Sequence, residues 1–381
     1  MKSLTTLGLL ALLAAPAAAD VIVLRDGTRL EGVKVTAESA AKVEYKQPKV
    51  NAPQSRPSAE VRDIEYASTS PDFREGLKAQ AEGSLATAAA FFDAAAEDEK
   101  LPEHVKATAR YLSAALWLEA GDLKDADSAF AALLKAWPDS RHLPAALSGR
   151  GQALLQNGDF AEARKAFETL KAEAKAKSLG ERWDIDADYH ALVATVAGDL
   201  KGSDGKPVDA VAGFQAILAR AEGKDTELAA RCRVQIGRVH LGAGRNDEAL
   251  PLFEGILDQR LDLPDEVVAG AYNGRGRVLY ARASTRLEAA TSTGAKGDKV
   301  KAEAQRAEAM ELFAEARLDF LRVFTQYNAV LSQQAEALFW ASQCFINIGD
   351  AEADARSKAL LRLCATSYPG STWGQKAKQS L

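Results

Sequence analysis

The four histidines, His104, His142, His190 and His240, are the side chains best suited to acid–base or metal chemistry, and their spacing supplies neither. None stands three to five residues from another, as paired ligands of a helix-borne zinc must, and no His-Glu-x-x-His element occurs. Packing or helix-surface histidines are expected. Asp184, Asp186 and Asp188 alternate like the first ligands of a calcium loop, but Tyr189 stands where that loop needs glycine and Thr195 where it needs its closing glutamate. They read as acids favouring a helix start. Gly274-Arg275-Gly276 is too short for a phosphate loop and lies in a helical pattern, where close helix packing accounts for both glycines. Cys232, Cys344 and Cys364 are odd in number and fall at helical positions. The last two would lie about 13–15 Å apart along a hairpin axis, so buried thiols are expected rather than a bridge. No nucleophile elbow occurs, and no carboxylate pair stands out from the many on exposed helical surface. No catalytic residue, metal ligand or cofactor is assigned.

The elements that position these residues follow one recurring spacing. Gly121/Ala126/Phe130 is repeated as Gly83/Ala88/Phe92, Gly158/Ala163/Phe167, Gly205/Ala210/Phe214 and Gly244/Ala249/Phe253, although the chain has only 27 glycines and 13 phenylalanines in 381 residues. A fixed offset of this kind marks stacked helical hairpins. The length exceeds one compact core, and a repeat array with a small extra module satisfies it. With 47% hydrophobic but only 7% aromatic residues, most contacts must come from alanine and leucine at close helix separation. A net charge of −5 with both signs mixed gives no basic footprint for nucleic acid or an anionic membrane.

The amino terminus is of another kind. Lys2, the apolar run Leu4 to Ala15 and Ala17-Ala18-Ala19 read as an export signal over 1–19, cleaved before Asp20, with no cysteine for lipid anchoring. The alternative is an uncleaved anchor, for which the run is short against the ~20 residues a spanning helix needs. A periplasmic or secreted protein is expected. Residues 20–68 form a small β domain. Val21 to Leu24, the Asp26-Gly27 turn, Leu30/Val33/Val35, Val43/Tyr45 and the alternating Val61 to Tyr66 predict a four- or five-stranded barrel or curled sheet. Pro48, Pro53 and Pro57 make Lys46 to Ser58 a loop.

From Asp72 onward, about four-fifths of the chain resembles a tetratricopeptide-repeat protein. Gly76, Ala114, Gly151 and Gly237 stand seven residues before their hairpin turns, where that family crosses its two helices on a small residue. Gly-Asp at 121–122, 158–159, 198–199 and 349–350 suits a glycine ending one helix and an aspartate capping the next. Pro138 closes a helix eight residues after Phe130. The resemblance implies a mainly α chain: a solenoid of about seven hairpins over 69–370 and a capping helix over 371–381. The β portion resembles the SH3-like barrels that precede helical repeats in some exported bacterial proteins, and it could bind a peptide or cap the array. Two insertions interrupt the pattern: a loop from Leu200 to Lys206, and a sixth hairpin whose helices must be extended, since its pair comes only at Ala316 and Phe320. That hairpin is a solvated projection or a docking arm. In the seventh, Ala355 and Ala359 stand where alanine and phenylalanine are expected, one place late.

Transferring the family's groove positions selects Tyr111, Gln152, Gln156, Arg238, Asn273, Arg277, Tyr280 and Gln343. These amide, guanidinium and aromatic groups suit an extended peptide. The lysine–asparagine pattern that clamps a terminal carboxylate in chaperone-binding relatives is not reproduced. The Tyr368-Pro369-Gly370-Ser371 ending resembles exported repeat proteins of bacterial envelope assembly. The resemblance implies a non-catalytic scaffold of the cell envelope that binds a protein or peptide partner; the alternative is a catalytic or enzyme-associated module acting on envelope polymer.

Overall fold

The computed structural model describes residues 19–48, 50, 52–199, 209–349 and 351–381. They fall into two compact units, one ending at 199 and the other beginning at Asp209. Apart from Ala19 the expected export signal lies outside the described residues, as do the expected loop from Leu200 to Lys206 and Asp350.

The first unit opens with β1 (Asp20–Leu24), β2 (Arg29–Glu38), β3 (Lys42–Lys46), β4 (Gln54–Pro57) and β5 (Val61–Glu65). They pair antiparallel in the order β4-β3-β2-β1-β5, so β4 and β5 are edges. Register shifts in three of the four pairings bend the sheet, and Ile22, Val33, Val35, Val43, Tyr45 and Ile64 fill its inner face. The alternation of these residues is what fixes which face is buried. β4 corrects the expectation of a loop: Pro57 closes an edge strand, where a missing N–H costs no ladder bond.

Helices α1 (Pro71–Ala81), α2 (Leu85–Ala96), α3 (Glu103–Ala120), α4 (Leu123–Ala136), α5 (Leu143–Asn157), α6 (Phe160–Ala176) and α7 (Glu181–Ala197) complete the first unit. The second holds α8 (Ala210–Ala221), α9 (Thr226–Gly242), α10 (Asn246–Asp258), α11 (Asp265–Ala295), α12 (Lys299–Gln326), α13 (Leu331–Ile348), α14 (Ala353–Ser367) and α15 (Thr372–Gln379). The chain is mainly α, a tetratricopeptide-like solenoid behind a small antiparallel sheet. The fourth expected hairpin would join α7 to α8, which belong to different units. At 31 and 28 residues, α11 and α12 form the extended sixth hairpin.

In α2, α4, α6, α8, α10 and α12 the buried centre is a phenylalanine set against small residues. Phe92, Phe130, Phe167, Phe214, Phe253 and Phe320 are enclosed, and the alanine four residues before each lies beside it on the same helical face. An added Cβ would lie 3.0 Å from the Phe92 ring at Gly76, 2.5 Å from Phe167 at Gly151 and 2.7 Å from Phe253 at Gly237. A second row of glycines meets the preceding hairpin: Gly149 would strike Phe130 at 2.4 Å and Gly274 Phe253 at 2.3 Å. Gly276 faces Phe320, so the pair around Arg275 serves packing on both sides.

Two local expectations need correction. Asp122 and Asp159 do sit at helix starts after left-handed Gly121 and Gly158, but their side chains accept no bond from the helix; Ser70, Asp209, Asp225, Asp298 and Ser371 do. In α14, Ala355 and Ala359 are exposed, and the buried pair four apart is Ser357 and Leu361. Residues 351 and 352 form a turn, which starts the helix later than the glycine spacing implies.

The sheet docks on the helices through a buried polar chain. The Glu38 carboxylate meets the Arg141 guanidinium at 2.5 Å, with their side chains 2% and 9% exposed, and accepts from Tyr66 Oη at 2.5 Å. Tyr66 in turn contacts Thr108 Oγ1 at 3.0 Å, which lies 3.0 Å from His142 Nε2. The Ala40 amide donates to the Asp139 carbonyl. Removing Glu38 or Arg141 would strand the other's charge in the interior, which ties the sheet to the helices.

Candidate functional site: the inner helical rows

Within each unit the first helices of successive hairpins touch one another: α3 with α5 and α5 with α7, α9 with α11, α11 with α13 and α13 with α15. The second helices make their extensive contacts with the flanking first helices instead. A row that closes up on one side while its partner row spreads curves toward the closed side, so the first helices form the inner face of each unit.

In the first unit that face carries Tyr111, Gln152 and Gln156. Tyr111 stacks on His142 with centroids 4.3 Å apart, and burial pushes its phenol up, so its ring is packing rather than an offered contact. Gln152 donates to Ser148 Oγ at 3.2 Å, and Gln156 is exposed one turn on. Ser148 in turn donates to Asp186 Oδ2 at 3.0 Å, while His190 Nδ1 lies 3.3 Å from Asp186 Oδ1 and its ring stacks on Phe167. Burial acts to raise the Asp186 carboxyl, but the bond and charge of His190, the Ser148 hydroxyl and Arg182 together hold it below the usual value. Serine, aspartate and histidine meet here with the aspartate in the middle. The imidazole is therefore not placed to take the serine proton, as a nucleophilic triad requires. Asp184 lies in the first turn of α7, Asp186 and Asp188 lie further along it, and Asp188 pairs with Lys171 at 2.6 Å. A helix, not a calcium loop, presents them.

In the second unit the structure brings Arg238 (α9), Asn273, Arg277 and Tyr280 (α11), and Gln343 (α13) onto one connected face. Arg238 Nη2 donates to Gln333 Oε1 at 2.8 Å and lies 3.6 Å from Glu336 Oε2. Arg277 Nη1 reaches Glu336 Oε1 at 3.2 Å, with its guanidinium 5.4 Å from the Trp340 ring centroid and 5.8 Å from that of Trp373. Tyr280 accepts from Asn347 Nδ2 at 3.1 Å and packs edge-on against Trp340. Gln343 donates weakly to Ser342 Oγ. Asn273 is fully enclosed, where its Nδ2 donates to the Gln333 carbonyl and ties α11 to α13. Sequence reasoning missed Glu336, Trp340 and Trp373. Glu336 and Trp340 lie seven and three residues before Gln343 on the same helical face, a spacing that was available to find them. Trp373 belongs to the capping helix, for which a repeat register offers no position.

Among the described residues, no group of three or more histidine, cysteine, aspartate or glutamate side chains could hold a metal ion. No described helix is long and apolar enough to cross a membrane. The three cysteines are free and buried; burial pushes the Cys232 thiol up to about 12 and that of Cys364 to about 11.

No curated protein sequence matches the chain. Among solved structures it is similar to a tetratricopeptide repeat protein from Parabacteroides merdae ATCC 43184, with a TM-score of 0.50 and 13% identity over 81% of this chain and 97% of that one. Other similar structures are the apo form of RapI, at a TM-score of 0.45 and 13% identity over 65% and 98%, and NprR in complex with its cognate peptide NprX, at 0.39 and 14% over 81% and 87%. A family model described as tetratricopeptide repeat matches residues 114–178 and 234–291. Over those two stretches, one in each unit, the chain carries tetratricopeptide repeats.

Proposed function

We propose that this protein is a non-catalytic scaffold that holds an extended segment of a partner protein against its inner helical rows. The observation that carries this reading is the face shared by α9, α11, α13 and α15. There guanidinium, amide and aromatic groups from four helices converge, with both guanidiniums already oriented by Glu336 and that of Arg277 also by stacking on tryptophan. Pre-oriented donors beside flat apolar rings lower the ordering cost of binding a flexible chain. The amino-terminal pattern of Lys2, an apolar run and Ala17-Ala18-Ala19 supports export, and the working place proposed is the bacterial envelope, with another envelope protein as partner.

Photo-crosslinking tests this reading directly. A crosslinking amino acid at the inner positions Gln156 or Gln343 should trap a discrete partner in living cells, whereas the same residue at the outer positions Lys165 or Glu254 should not. Equal trapping from both faces, or none from the inner one, would contradict it.

A further inference from the structure

We infer that the inner face of the second unit selects an acidic residue, an aspartate or glutamate side chain of the bound segment; this rests on the peptide-binding reading above. Arg238 and Arg277 approach the same carboxylate, Glu336, from neighbouring helices. Lys376 lies 4.5 Å from the centroid of the Trp373 ring that Arg277 also faces. Two guanidiniums thus share one carboxylate. Each guanidinium has five N–H donors. Among the described residues Arg238 bonds through Nη2 alone and Arg277 through Nη1 alone, and their side chains remain 29% and 28% exposed. Donors and positive charge are therefore in excess on a face walled by Trp340 and Trp373, where low polarity strengthens each remaining bond. A second carboxylate answers both imbalances. A backbone carbonyl answers only the first, and charge-assisted bonds are about twice as strong as neutral ones. Glu336 acts as a positioning residue that holds the two guanidiniums side by side.

The test pans a displayed library of random dodecapeptides against the full chain, resynthesises the selected peptides with capped ends, and titrates them by tryptophan fluorescence. Selected peptides should be enriched in aspartate or glutamate, and replacing that residue by its amide should weaken binding by about tenfold, the effect of one charge-assisted hydrogen bond. In Arg277→Gln or Arg238→Gln the acid and amide peptides should bind alike, while Arg277→Lys should retain part of the preference. Circular dichroism melting establishes that each variant is folded, and Arg277→Lys carries the test if a glutamine variant is not. Acid and amide peptides binding alike to the unaltered protein would overturn the inference, as would a preference that survives in both glutamine variants. If such peptides still lose binding in Gln343→Ala and Tyr280→Ala, only the acidic preference falls. Peptides indifferent to every inner-face change, or no enrichment at all, would overturn the peptide-binding reading as well.

Discussion

Phe253 is clasped by two glycines, Gly237 on its own hairpin and Gly274 on the next, and neither position has room for a methyl group. Gly274→Ala should therefore destabilise the second unit by about 1–3 kcal/mol through overpacking, and Phe253→Ala by about 3–5 kcal/mol through the cavity it leaves. Urea unfolding measures both, and an alanine at 274 that costs nothing would show that the ring is not held between the helices. His142 gives a pH dependence. Burial, reinforced by the Arg141 charge, holds its imidazole well below the ordinary value, so it is neutral in the fold. The unfolded chain takes up that proton near pH 6.5, hence stability is complete above that pH and falls below it, by up to about 1.4 kcal/mol per pH unit. Unfolding midpoints between pH 7 and 5 should show this slope, and His142→Gln should flatten it. An unchanged slope in the variant would place the pH dependence elsewhere. The sequence offered His142 as a packing or helix-surface histidine, and the structure buries it. Arg141 is its neighbour in sequence, but Thr108 and Tyr111 come from another helix at a separation that no local pattern encodes.

At the scale of elements, alanine and phenylalanine four apart made the hairpins legible because one turn of helix places both on the buried face. The rule fails where a loop changes length. In α14 the turn at 351 and 352 delays the helix, and Ser357 with Leu361 take the places that Ala355 and Ala359 would have filled. Ala359→Glu should accordingly be silent in thermal melts, whereas Leu361→Glu should unfold the end of the second unit by burying a charge with no partner. Equal melting temperatures for the two would restore the glycine-based register. Cys344 and Cys364 are enclosed by the same packing, and burial raises both thiols. They should resist an aromatic disulfide reagent in the native protein and react in denaturant, since the thiolate is the reactive form. Rapid native labelling would mean that α13, α14 and α15 open readily. Strand β4 was hidden by Pro57 and the prolines before it: an edge strand tolerates proline, and composition alone does not distinguish one from a loop.

At the scale of the molecule, the repeat register predicted one series of hairpins interrupted by an inserted loop at 200–206, and the division into two compact units falls at that interruption, between 199 and 209. The register is local, so it counts hairpins well and says nothing of where one body ends. The groove shows the same mixture. Arg238, Arg277, Tyr280 and Gln343 came from transferring the family's groove positions through the repeat register, whereas Glu336 and Trp373 meet them through geometry that forms only when α9, α11, α13 and α15 are stacked. Hydrogen exchange of the full chain, with and without a peptide selected on it, tests most directly whether that stacked row is where the partner lies. Binding there slows exchange across 226–242, 265–283 and 331–348 and leaves the outer helices α10 and α14 unchanged. Protection confined to α10, α14 or the amino-terminal sheet would contradict it.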